Sequence, residues 1–158
     1  MKRLPQEAPL STSALFFALL LYIITDYLLA SATSGNQVAI GMTTLDVLVM
    51  VLLLFILLKT TSNLNRFQKS LTAFAGSGAL LALFAVPLVE MVGAKQASDQ
   101  MPASLVIAWL VLTVWSFTVR AYLYRHVLSS TFSIGALVAI LHALVVYSVV
   151  EMFYPTSG

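Results

Sequence analysis

Five long apolar runs divide the chain, and short polar clusters separate them. The runs cover about 13–31, 38–58, 71–92, 102–124 and 132–154. Each is close to the ~20 residues that a helix needs to cross a bilayer. None shows the alternation of period two expected of barrel strands, and a spanning helix satisfies its own backbone hydrogen bonds. The pattern therefore predicts an all-α polytopic membrane protein. Its five transmembrane helices form one bundle, and residues 1–158 make a single transmembrane domain.

The connectors carry helix punctuation. SATSGNQ (31–37) has Gly35 and Asn36 as a turn signal. KTTSNLNRFQK (59–69) offers Ser62 and Asn63 as caps. GAKQASDQM (93–101) leads to Pro102, a favoured first residue of a helix. RHVLSS (125–130) leads into Thr131.

Composition agrees with this picture. Of 158 residues, 60% are hydrophobic and 9% charged, with a mean hydropathy of +0.98. Soluble domains carry about 25% charged residues. The net charge of +2 comes from basic residues scattered over loops, with no basic stripe interleaved with aromatics, so nucleic acid is not an expected partner. The absence of cysteine excludes disulfides, thiol redox chemistry and cysteine zinc sites.

The placement of Lys and Arg sets an expected orientation. Lys2, Arg3, Lys59, Arg66, Lys69, Arg120 and Arg125 fall on one side, and Lys95 alone on the other. The positive-inside rule then puts the N-terminus in the cytoplasm and the C-terminus outside, in a bacterial inner membrane. Tyr27 and Tyr154 would join an outer aromatic belt, and Tyr122 and Tyr124 an inner one. Lys2-Arg3, the first run and Ala30-Ser31-Ala32 also resemble a cleavable signal peptide. The run is longer than a signal's apolar region of about 7–15 residues and is interrupted by Asp26, so its retention as a helix is expected.

Candidate chemistry lies in the polar residues inside the runs. Asp26 sits about five residues, or ~7 Å, from the outer end of the first run, and Asp46 about seven residues into the second. An aspartate at the centre of a span costs roughly 2.5–3.5 kcal/mol on insertion scales, so each must be neutral, paired or wet. The functional account is an intramembrane acidic pair, Asp26 with Asp46, sharing a proton beside a water-filled pocket. The structural account, which is the expected one, gives each a hydroxyl on its own helix: Tyr22 for Asp26 and Thr43 for Asp46. Glu90 and Glu151 lie near helix ends and are expected to be solvated.

Trp109, Thr113, Ser116 and Arg120 recur at spacings of 4, 3 and 4, one polar stripe on the fourth helix. Arg120 and Trp109 are candidates for lipid or partner contact, with Arg120 snorkelling to the headgroups. Gly135, Ala139 and Ala143 repeat every four residues beside His142, a small-residue seam for helix packing. Gly76 and Gly78 serve the third helix in the same way, and Pro87 should kink its outer third. His142 and His126 are too isolated for a metal site. No serine–histidine–acid arrangement, phosphate loop or paired soluble carboxylates stand out, so no catalytic residue, metal or cofactor is expected.

Two segments carry a resemblance. In LLKTTSNLNRFQKSLTAFAGSGALLALFAVPL a basic loop containing Phe leads into a small-residue helix with a late proline. In VIAWLVLTVWSFTVRAYLYRHVLSSTFSIGALVAILHAL a helix ends in a tryptophan-to-arginine stretch, and a Ser/Thr turn follows. From about residue 40 to 154 the chain resembles the Yip-domain family of five-helix, Rab/Ypt-interacting proteins, in its bacterial form. The resemblance implies a non-enzymatic scaffold or assembly protein that acts through helix partners or lipid organisation, as a homo-oligomer or a subunit of a membrane complex. The alternative from the residues themselves is a proton- or cation-coupled transporter or channel subunit using Asp26 and Asp46.

Overall fold

A computed structural model describes residues 12–96 and 102–154. Its helices are α1 (Thr12–Ser34), α2 (Asn36–Thr60), α3 (Phe67–Gln96), α4 (Ala103–Leu128) and α5 (Phe132–Phe153), with one 3-10 turn at Leu64–Arg66 before α3. There is no strand among the described residues. All five helices are long and apolar enough to cross a membrane, and the protein is an all-α membrane bundle.

Most helices run past the ends of the apolar pattern. The polar residues of the first connector are absorbed into α1 and α2, leaving Gly35 between them at φ +80°. Only glycine adopts that backbone freely, so a one-residue turn suffices. α4 continues to Leu128, where Ser129 closes it in a left-handed conformation. His126 thus belongs to the last turn of α4, not to a loop. α3 stays helical through Pro87. At 1.5 Å per residue its 30 residues reach about 45 Å, more than the ~30 Å hydrocarbon core.

The helices close a ring in the order α1, α3, α4, α5, α2, and α2 also reaches across to α3 and α4. Buried positions of α3 show why it can hold two neighbours. Leu71, Phe74, Ala75, Ala79, Ala82 and Ala85 recur at helical spacing and let other backbones approach. Against them lie Tyr22 of α1, Leu54 and Leu58 of α2, and Tyr124 of α4. Phe74 and Tyr124 stack with ring centroids 4.7 Å apart. Tyr124 is therefore a core residue and no part of an aromatic belt. Large apolar side chains such as Phe16, Phe84, Ile107 and Leu137 point outward. So much exposed apolar surface fits lipid as the surrounding solvent.

Two glycines allow close contacts. Gly135 of α5 lies against the Ala121 carbonyl and the Arg125 amide of α4. Gly41 of α2 lies under the Tyr154 ring at the end of α5. Ala139 and His142 continue the buried side of α5, whereas Ala143 is exposed. The seam thus follows 135, 139 and 142, because with a period of 3.6 a second step of four drifts off the contact. Gly76 likewise faces open space, while Gly78 is used.

Candidate functional site

The polar side chains inside the membrane come together at the junction of α1, α2, α3 and α4. Counted from the Gly35 turn, Asp26 lies nine residues back and Thr43 eight residues on; Tyr22 lies thirteen back and Asp46 eleven on. In an antiparallel hairpin these are two facing levels. The Tyr22 hydroxyl donates a hydrogen bond to Asp46 Oδ2. Asp26 lies beside Thr43, whose buried Oγ1 stays outside hydrogen-bond geometry.

Of the pairings expected within each helix, Tyr22 with Asp26 and Thr43 with Asp46, the first is replaced by a bond across the hairpin to Asp46, and Thr43 Oγ1 makes no hydrogen bond. The register of the hairpin explains the cross-helix bond. Tyr22 and Asp46 lie at nearly matching distances from the Gly35 turn, and the long Tyr22 side chain spans the gap to the neighbouring helix.

Gly78 of α3 makes this reach possible. A Cβ there would sit 2.5 Å from Tyr22 Cε2. Gly78→Ala should therefore displace a ring that is tethered at its hydroxyl. The expected loss is about 1–3 kcal/mol by overpacking, read as a lower melting temperature in detergent. Gly76→Ala, into open space, should leave that temperature unchanged.

A cleft of about 180 Å³ opens beside the aspartates, bounded by α1, α3 and α4. Trp109, Thr113, Ser116 and Arg120 all line it, so the polar stripe of α4 is a single wall. Tyr22 and Asp26 face that wall from α1. Arg120 sits eight residues inside the end of α4, about 12 Å from Leu128. It lines the cleft at that depth, facing Tyr22 and Asp26 of α1. Thr113 Oγ1 donates to the Trp109 carbonyl at 2.8 Å, and Ser116 Oγ donates to the Thr113 carbonyl at 2.9 Å. Both hydroxyl protons are thereby used within α4, and the oxygen lone pairs remain as acceptors.

A smaller cavity of about 10 Å³, roughly one water in size, continues behind Tyr22 and Arg120. His142 of α5 lines it. The His142 ring is held by a 2.8 Å bond between Nδ1 and the Tyr124 hydroxyl, and its Nε2 is buried without a partner. The small-residue pattern of α5 marks His142 as a packing residue, in keeping with its burial. The sequence does not reveal its partner, because nothing in the α4 pattern ties Tyr124 to a histidine eighteen residues on.

The cleft places a carboxyl (Asp26), a guanidinium (Arg120), two hydroxyl acceptors and an indole around one space. Asp46 lies behind it, bonded to Tyr22. The two aspartates are therefore near neighbours with different surroundings: one lines the cleft and the other is held by a phenol. Glu90 is exposed and apart from this cluster. No group of three or more metal-ligating residues exists among the described residues. Comparison with known protein families, with characterised proteins and with solved structures finds no match to this chain.

Proposed function

We propose that this integral membrane protein is a small proton-coupled carrier, and that its substrate bears a cationic and an anionic group. The observation that carries this is the sharing of one intramembrane cleft by Asp26 and Arg120. Ionisable residues within a span, facing a cavity, mark solute and proton pathways. Asp26 and the face of Trp109 suit an ammonium group, through charge and cation–π attraction. Arg120 suits a carboxylate or phosphate, which its planar fork binds through two hydrogen bonds. A substrate with a single cationic group would leave Arg120 uncompensated. Asp26 and the Tyr22-bonded Asp46 are the groups that exchange protons.

The gathering of Lys59, Arg66, Lys69 and Arg125 at the end carrying the α2–α3 and α4–α5 connections supports a cytoplasmic N-terminus and an inner-membrane location.

Reconstitution into liposomes with a trapped pH dye tests the proposal. Imposed gradients of a simple amine, a simple carboxylate and a zwitterionic amino acid should differ, with only the zwitterion driving a proton signal. Asp26→Asn should abolish that signal. Wild-type liposomes no faster than empty ones at any pH would sink the carrier.

The second reading is a Yip-like scaffold, supported by the open face of α3 at Gly76 and by the lipid-facing surfaces of α4 and α5. Gly78, Gly135 and Ala139 already serve contacts inside the bundle, so they add nothing to a partner surface. A stoichiometric partner that co-purifies in mild detergent and survives Asp26→Asn with Asp46→Asn would favour the scaffold.

A further inference from the structure

A second cleft, of about 250 Å³, lies between α3 and α4 at the end of the bundle that carries the α2–α3 and α4–α5 connections. Its polar lining is Arg66, Lys69, Ser70 and His126. Arg66 and Lys69 come from the 3-10 turn and the first turn of α3, and His126 from the last turn of α4. One turn deeper the lining becomes Ala73, Phe74 and Leu123. The cleft thus has a basic mouth at the helix ends and an apolar wall running into the span.

Charge elsewhere sharpens the point. The described acidic residues are Asp26, Asp46, Glu90 and Glu151, and none lines this cleft. Arg66 Nη1 donates to Ser129 Oγ at 3.3 Å, which ties the guanidinium to the α4–α5 turn and leaves its other donors for a ligand. His126 packs edge-on against Tyr122, with centroids 4.7 Å apart. Both basic side chains are therefore held in place. Ser70, buried to about nine-tenths, adds a hydroxyl within the mouth.

We infer that this cleft binds an anionic phospholipid, with the phosphate at Arg66, Lys69 and His126 and the upper acyl chain along Ala73, Phe74 and Leu123. Basic pockets between helices at the membrane surface hold lipid headgroups in this manner. The apolar wall decides between the two sources of a phosphate group. A free anion would use the mouth alone, whereas a lipid fills both parts. The site is separate from the α1–α3–α4 cleft and stands whatever that cleft carries.

Native mass spectrometry of the detergent-purified protein, titrated with phosphatidylglycerol or phosphatidylcholine, tests this. Phosphatidylglycerol should bind at one preferred site and phosphatidylcholine should not. Removing two basic residues in Arg66→Gln/Lys69→Gln should weaken binding about 30-fold. Ala73→Phe should also weaken it, by filling the apolar wall with every charge kept. Because Ala73 is exposed, this second variant gives an answer even if the charge variant does not fold. Lys59→Gln, at the same end but outside the cleft, should bind as wild type does. Equal binding of the two lipids, or undiminished binding by both cleft variants, would overturn the inference. Displacement of the lipid by inorganic phosphate would also overturn it, in favour of a free-anion site.

Discussion

Arg120→Gln should destabilise the bundle by at least about 2 kcal/mol, and Asp26→Asn in the same chain should recover most of that loss. The two side chains line one cleft inside the membrane. Removing one of two opposite charges that face one cleft leaves the other less compensated, and the cost is typically 3–5 kcal/mol for a fully buried, directly paired charge. Both residues here are only partly enclosed, so a figure below that range is appropriate. Removing both members removes the mismatch. The measurement is a double-mutant cycle on thermal or denaturant unfolding in detergent. Strictly additive losses would mean that Arg120 and Asp26 act independently. That outcome would also weaken the case for a substrate bearing both charges.

Gly135→Leu should be the most damaging single packing change, with an expected loss of about 3 kcal/mol or failure to accumulate folded protein. A Cβ at this position meets the Ala121 carbonyl and lies 2.8 Å from the Arg125 amide nitrogen. Both are backbone atoms of α4, and no rotamer change moves them aside. In lipid, helices associate through close packing because their surroundings are as apolar as their side chains. Opening the α4–α5 seam therefore forfeits the main attraction between these two neighbours. It also shifts Tyr124 away from His142, whose Nδ1 it bonds. Melting temperature in detergent, compared with Gly76→Leu, isolates the effect. A Cβ added at Gly76 would meet nothing within 4 Å, so its variant should stay near wild type.

The spans were legible because length and continuity of apolar residues need no knowledge of neighbours. The stripe Trp109, Thr113, Ser116 and Arg120 was legible for a related reason: a period of 3.6 puts those positions on one face of any helix. What that face meets is a different matter. Spacing alone suggested Tyr22 for Asp26 and Thr43 for Asp46, and the structure joins Tyr22 to Asp46 instead. Sequence distance ranks only partners on the same helix, and the hairpin supplied Tyr22 with one across the turn. Gly76 and Gly78 differ by two residues, so they lie about 200° apart on the helix, and composition cannot tell which of the two meets Tyr22. The basic mouth at Arg66, Lys69 and His126 was invisible along the chain, since it needs the start of α3 and the end of α4 side by side.

The single-residue turn at Gly35 has a consequence for biogenesis. With almost no linker between them, α1 and α2 have to enter the bilayer as a helical hairpin, not one after the other. The Tyr22–Asp46 bond lies wholly within that hairpin. One of the two intramembrane acids is therefore chaperoned by its own neighbour before α3, α4 and α5 arrive. Asp26 gains the facing wall of α4, with Arg120, only later, so a chain truncated after α2 should insert with one acid already bonded and its cleft not yet built.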